Sequence, residues 1–316
     1  MSVQSGDLVA AAQSESKLGT PEKRDRWTVL DVLRWTTSRF EERQLATPRL
    51  DAEVLIAAAL GLPRVQLYVQ FERPLDATEL GAIREHVRRR QAGDSVAYIV
   101  GHKEFFGLDF AVDNRVLVPR PDTETLVDEA LARLRERPAV EAAGGEVPSP
   151  PVVADIGTGS GAVIVALGKQ FPVSRRFAVD QSADALEVAR TNAARHDVAV
   201  DFLEGDLLEP LRAHGPFDLL AANLPYIPSA DIAALAPEVR AEPVAALDGG
   251  PDGLDLVRRL IVTAPALLTV GGALVLEIGA GQAEATADLC ATAGFTDIRR
   301  RRDLGAIERV ISAVWP

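Results

Sequence analysis

The chain has 316 residues, 47% hydrophobic and 25% charged, which fits a globular protein of one large or two modest domains and excludes a mainly disordered, collagenous or disulfide-stapled one. Lys plus Arg number 34 against 46 Asp plus Glu, and the formal charge of −12 argues against a protein that lives on the phosphate backbone of nucleic acid. The lone Cys290 excludes an internal disulfide, and His86, His102, His196 and His214 lack metal-ligand spacing, so no metal is expected.

Residues 1–26 are rich in Ser, Gln, Glu and Lys and bury too little to offset the entropy of ordering, so a mobile tail is expected. The N-terminus lacks the basic start and apolar core of a signal peptide, and no apolar run of 18 residues follows. A cytoplasmic protein without a membrane span is expected. Over 27–96, Val29, Leu30, Leu33 and Phe40, then Leu50, Val54, Leu55 and Ala58, then Leu80, Ile83 and Val87 recur near helical spacing between breakers at Pro48, Gly61 to Pro63 and Pro74. They predict a small all-helical domain. Its run Arg88, Arg89, Arg90 reads first as a solvated helix end favoured by the macrodipole, with a basic edge for a partner as the alternative.

Residues 97–118 carry Tyr98, Ile99, Phe105, Phe106, Leu108, Phe110 and Val112 between Gly101, Gly107 and Asp113-Asn114, the composition of a β-hairpin linker. The last domain is expected over 119–316. It opens with a helix over 122–135, and residues 138–151, with Gly144-Gly145, Pro148, Pro150 and Pro151, read as a surface loop. Strands at 152–156, 176–180, 199–203, 217–222 and 273–278 then alternate with helical stretches at 162–170, 183–196 and 254–268. That alternation predicts an α/β fold with a mostly parallel sheet covered on both faces. Stretches 296–301 and 307–314, joined by a short turn, predict an antiparallel edge.

The sharpest local signal is Asp155-Ile156-Gly157-Thr158-Gly159-Ser160-Gly161, an apolar strand running into a glycine-dense turn and then a helix. Its glycines let a ligand approach the main chain closely. The Gly-x-Gly-x-Gly spacing differs from that of dinucleotide binders, and Asp155 would oppose a pyrophosphate, so a ribose-bearing sulfonium or amine fits better than a dinucleotide. Asp180 ends the second strand 19 residues past Gly161, close to the roughly 20 expected of an acid that binds ribose hydroxyls. Asp206 at the third strand end suits the exocyclic amine of adenine, and Leu207 its ring. Singly each acid reads as well as a helix cap or a solvated loop. Together, at successive strand ends, they mark the carboxyl edge where open parallel sheets bind ligands. The fourth strand delivers Asn223-Leu224-Pro225-Tyr226, in which a side-chain oxygen and a main-chain carbonyl can each accept one N–H of a planar amino group beneath an aromatic cover.

The glycine turn, the two acids and the Asn-x-Pro-Tyr turn together resemble class I methyltransferases, a Rossmann-like fold, that use S-adenosylmethionine to methylate planar nitrogens. Further stretches resemble the release factor glutamine methyltransferases (the HemK/PrmC group): Tyr98 to Gly101 with Glu104-Phe105-Phe106; Leu117 to Glu124, containing Pro-Arg-Pro-Asp-Thr-Glu; Ala246 to Gly250 with Asp252-Gly253-Leu254; and Glu277-Ile278-Gly279. The resemblance runs from about Trp27 to Val314. It implies methylation of the side-chain amide of the glutamine in the Gly-Gly-Gln loop of peptide chain release factors. It also implies that S-adenosylmethionine lies against Gly157, Thr158, Gly159, Ser160, Gly161, Asp180, Asp206, Leu207 and Asn223, that Asn223, Leu224, Pro225 and Tyr226 hold the glutamine, and that the helical domain docks the protein substrate. The family usually has Asn-Pro-Pro-Tyr; Leu224 in place of the first proline still supplies the carbonyl, and Pro225 keeps it extended. A pocket roofed by Tyr226 and by Phe105 or Phe106 would exclude water.

Three rival readings stand beside this one. An adenine amino-methyltransferase would share the Asn-x-Pro-Tyr turn but needs base flipping and a basic groove, which the charge disfavours; alternation along an edge strand accounts for Arg299 to Arg302. A non-catalytic S-adenosylmethionine-binding module would explain Leu224 as decay of the turn. A nicotinamide dehydrogenase is disfavoured by the glycine spacing. A monomer without direct nucleic-acid contacts is expected.

Overall fold

The computed structural model describes residues 26–137, 150–172 and 174–316; residues 1–25 of the expected tail over 1–26 and residues 138–149 of the expected loop lie outside them. The chain forms two units, one ending at Gln91 and one running from Ala92 to Pro316. Among the described residues no helix is long and apolar enough to cross a membrane.

The first unit is helical: α1 (Val29–Glu42), α2 (Pro48–Ala59), α3 (Arg64–Val69) and α4 (Ala77–Gln91). Thr28 and Asp31 close a capping box at the start of α1, each side chain taking the other's backbone N–H at 3.2 Å. Leu33, Phe40, Leu55, Ile56, Leu67 and Ile83 form the core. Leu50, expected on the apolar face of α2, is 43% exposed. The inward face instead runs through Asp51, Ala52, Leu55 and Ile56, and Leu50 sits about 100° round the helix from Asp51. The arginine run is not simply solvated. Arg90 is buried, with Nε 2.8 Å from Asp51 Oδ2, so its charge ties α4 to α2.

The second unit opens with a helix, α5 (Val96–Val100), at the start of the expected hairpin. A short apolar run reads equally as strand or helix, and its ends decide: Ser95 caps Tyr98 N, and Gly101, at φ 80°, stops the turn. The hairpin is shorter, β1 (His102–Phe105) against β2 (Leu108–Ala111), joined through Phe106 and Gly107, both at positive φ as a type I′ turn requires. Next come α6 (Glu124–Glu136), β3 (Val152–Ile156), α7 (Ala162–Gln170), β4 (Arg175–Asp180), α8 (Ala183–Arg195), β5 (Asp201–Glu204) and β6 (Phe217–Ala222). A short turn of helix, α9 (Pro237–Arg240), precedes α10 (Asp255–Thr263), β7 (Leu268–Glu277), α11 (Ala283–Thr292), β8 (Thr296–Arg302) and β9 (Glu308–Val314).

The seven-stranded sheet has the order β5-β4-β3-β6-β7-β9-β8, parallel from β5 to β7, with β9 antiparallel to both β7 and β8. The expected mostly parallel sheet with an antiparallel edge is therefore present. Successive residues feed opposite cores: Ala154, Ile156, Phe177 and Val179 pack with α10 and α11, while Val153 and Ala178 pack with α6 and α7. Two expected boundaries move. The helix expected over 254–268 stops at Thr263, and β7 already begins at Leu268, its pairing with β6 shifting register between Phe217 and Leu219. Helix α11 was not among the predicted elements, because its inward face is Ala283, Thr286, Ala287 and Cys290, too small a stripe to stand out.

Candidate active site

Order reverses between β3 and β6, because β4 and β5 follow β3 on one side while β6 and β7 lie on the other. Such a switch point opens a crevice at the carboxyl ends of the strands. A cavity of about 220 Å³ lies there.

The floor is the glycine turn. Gly157, Gly159 and Gly161 take φ of 72°, 53° and 79°, a region that side chains resist, and a Cβ on Gly161 would lie 3.1 Å from that of Ala189 in α8. Gly157 N and Thr158 N both donate to Val179 O, at 2.8 and 2.9 Å, and Gly159 N donates to Asp180 Oδ2 at 2.9 Å. Asp180 thus braces the turn with one oxygen while its other accepts from Ser182 N. Asp155 is buried, and its carboxylate accepts the Thr158 hydroxyl at 2.6 Å instead of standing free for a ligand. Burial pushes that carboxyl up to about 7. At the end of β5, Leu207 is held at φ 48°, and Asp206 is ion-paired with Arg259 of α10.

Of the twelve residues expected in the site, Gly157, Thr158, Gly159, Ser160, Asp180, Asp206, Leu207, Asn223, Leu224 and Pro225 line the cavity; Gly161 and Tyr226 do not. Asn223 leaves β6 half-buried, and its Nδ2 donates to Thr123 Oγ1 at 3.2 Å, which leaves Oδ1 as an acceptor. Leu224 sends its side chain into the core, its Cδ2 3.0 Å from where a Cβ on Gly157 would lie. Leucine therefore fills space between the two turns, and only its main chain is left to face a ligand. The 247–253 segment braces this turn from behind. Ile227 N donates to Leu247 O, Gly249 N to Ile227 O, and Gln282 Nε2 to Tyr226 O at 3.1 Å. A Cβ on Gly253 would lie 2.1 Å from Tyr226 O, so the glycine is required by close approach.

The Pro119 to Glu124 block is wired into the same place. Arg120 Nη2 pairs with buried Glu242 at 2.7 Å, Thr123 holds Asn223, and Glu124 Oε1 accepts Phe106 N at 2.9 Å, fastening the hairpin. Phe105 cannot serve as a roof: it is 1% exposed and meets Phe110 edge-on in the core, because residue alternation on β1 turns it inward. Behind Tyr226 lies Glu277, 1% exposed at the end of β7. Burial pushes its carboxyl up to about 7 and, helped by that carboxylate, the Tyr226 phenol up to about 12. Sequence reasoning assigned no role to Arg120, Thr123, Glu277 or Gln282. All but Gln282 lie in stretches that carry the family resemblance, but their partners are far away in sequence; Thr123 and Asn223 are 100 residues apart.

Residues 31–101 match the family model of the PrmC N-terminal domain, and residues 153–241 that of a methyltransferase domain. The release factor glutamine methyltransferase of Geobacter sulfurreducens is 46% identical over 92% of this chain and 98% of its own length. Those of Chlorobaculum tepidum and Bradyrhizobium diazoefficiens are 41% and 42% identical over 91% and 93% of the chain, and 97% and 98% of theirs. Among solved structures, the hMettl16 catalytic domain in complex with MAT2A 3'UTR hairpin 6 aligns with a TM-score of 0.53 at 13% identity, over 72% of this chain and 82% of that one, a likeness of fold alone.

Proposed function

The chain belongs to the release factor glutamine methyltransferase family, and from that premise we propose that it transfers a methyl group from S-adenosylmethionine to the side-chain amide nitrogen of the Gly-Gly-Gln glutamine of peptide chain release factors. The observation that carries the reading is Asn223. Its amino group is tied to Thr123, its oxygen is left to accept, and it stands on the rim of the cavity that the glycine turn floors.

The residues fit the donor. The Gly157 to Gly161 turn is a cradle that any Cβ would strain, the Asp180 carboxylate at the next strand end suits ribose hydroxyls, and Leu207 offers an apolar face to adenine. When bound, S-adenosylmethionine supplies a methyl group activated on a sulfonium. An amide nitrogen is a poor nucleophile because its lone pair is delocalised into the carbonyl, so the chain's contribution is orientation. Asn223 Oδ1 and the Leu224 carbonyl each accept one N–H of the glutamine amide, fixing the nitrogen toward the methyl carbon; such alignment lowers a barrier by about several kcal/mol. Pro225 and Tyr226, the latter held through its carbonyl by Gln282, shape the turn that presents these acceptors, and the proton leaves late, to a carbonyl or to solvent. Exposed Val65, Tyr68 and Val69 of the helical unit offer the release factor an apolar docking face.

Incubation with S-adenosylmethionine and a purified release factor, followed by mass mapping of peptides, tests the proposal. One added methyl on the Gly-Gly-Gln glutamine is the expected result; an unmodified glutamine overturns it.

A further inference from the structure

β6 and β7 are parallel neighbours with Ala222 opposite Leu276, so the next residues, Asn223 and Glu277, leave the same sheet edge side by side. Glu277 is 1% exposed, and neither of its oxygens makes a hydrogen bond of normal geometry. A buried carboxylate in that state is costly, and such groups cluster at functional sites. The hydroxyls of Thr123 and Tyr226 face it, as do the charges of Arg309 and Asp122; Arg309 is itself paired with Asp303 at 3.2 Å and with Asp122 at 3.6 Å.

We propose that Glu277 is a positioning residue that fixes the direction of the Thr123–Asn223 hydrogen bond, so that Asn223 turns its oxygen, and not its amino group, toward the substrate amide. The inference rests on the reading above that Asn223 holds the glutamine. An ionised carboxylate only accepts, so a hydroxyl that turns to it must donate. With the Thr123 hydroxyl turned to Glu277, whose oxygens make no other hydrogen bond of normal geometry, its single proton is committed there and Thr123 Oγ1 can serve Asn223 only as an acceptor. That is the observed sense, Nδ2 to Oγ1 at 3.2 Å. A neutral side chain at 277 can instead donate to Thr123, which frees the hydroxyl proton for Asn223 Oδ1 and lets the amide turn over. The inverted Asn223 would present N–H to N–H and hold the glutamine badly.

The test is steady-state methyl transfer to a release factor by Glu277→Gln, Thr123→Val, Thr123→Ser and the Glu277→Gln/Thr123→Val pair. Breaking the Glu277–Thr123–Asn223 relay predicts a fall in kcat of roughly 10- to 100-fold in Glu277→Gln and Thr123→Val, with KM for the release factor and Kd for S-adenosylmethionine within about twofold. Thr123→Ser recovers most of that loss, and the double variant is no worse than either single, because both break one chain. Wild-type kcat falls as pH drops below about 7, where the carboxylate takes up its proton, and Glu277→Gln lacks that acid limb. A Glu277→Gln enzyme with wild-type kcat, losses that multiply in the double variant, or a loss carried by KM and Kd overturns the inference. Should Glu277→Gln fail to fold, the two Thr123 variants and the wild-type pH profile carry the test. A wild-type protein that leaves the glutamine unmodified fails the parent reading; one that methylates it while these variants behave normally fails this inference alone.

Discussion

At the scale of single residues, the site stores charge where the fold would be more stable without it. The carboxyls of Asp155 and Glu277 are both held near 7 by burial, so between the ordinary carboxylate range and that value the folded chain binds more protons than the unfolded one. Stability that these groups permit at low pH is therefore lost as pH rises toward 7. For Glu277 the shift corresponds to roughly 3 kcal/mol. Thermal unfolding of Glu277→Gln should show a higher Tm than wild type at pH 8 and little difference at pH 5. A lower Tm at both would mean that the carboxylate has stabilising partners. Asn223, Leu224 and Asp180 were legible in the sequence because each sits at a strand end within a short motif. Thr123 and Glu277 were not, because what defines them is a partner across the sheet edge, and spacing along the chain carries no trace of it. Leu224 shows the same limit: its carbonyl was anticipated, but its packing beneath Gly157 depends on two turns meeting in space.

At the scale of elements, the central strands β3, β4 and β6 match their expected spans within a residue, since burial of both faces between two helical layers leaves short apolar runs bounded by turns, whereas β7 starts five residues early at Leu268. Elements of small or ambiguous residues were read worse. Val96–Val100 is a helix decided by Ser95 and Gly101, and α11 hides behind alanines. The antiparallel edge is held by a buried charge as well as by its ladder. Arg133 of α6 has its guanidinium 2.8 to 3.0 Å from Ser312 Oγ on β9 and 3.2 Å from Glu129, and is also paired with Asp297 on β8. Glu129 in turn accepts from Ser312 and pairs with Arg301. Removing one member of a buried cluster leaves the others desolvated, so Arg133→Leu should cost about 3 kcal/mol in urea unfolding, read as a lower midpoint at unchanged slope. A midpoint equal to wild type would show that α6 and the edge are held by apolar packing alone.

At the scale of the whole molecule, the strand order sets four features along one rim: a glycine turn after β3, Asp180 at the end of β4, Leu207 after β5 and Asn223 after β6. The arginines of β8, which in isolation suggest a polyanion surface, include Arg299 paired with Glu136 and Arg301 paired with Glu129. With a net charge of −12, these ion pairs leave little free basic surface along β8 for a polyanion. In the proposed reading the donor rests mainly on the glycine turn, Asp180 and Leu207, and the substrate amide on Asn223 and Leu224, so the two bindings should largely separate on mutation. Single-turnover methyl transfer by Asn223→Ala, measured beside its equilibrium binding of S-adenosylmethionine, is the most direct measurement of that separation. Transfer to the release factor should fall by at least about a hundredfold, while donor affinity stays within about threefold of wild type. Transfer at the wild-type rate, or a loss of donor binding in proportion to the loss of transfer, would contradict the account.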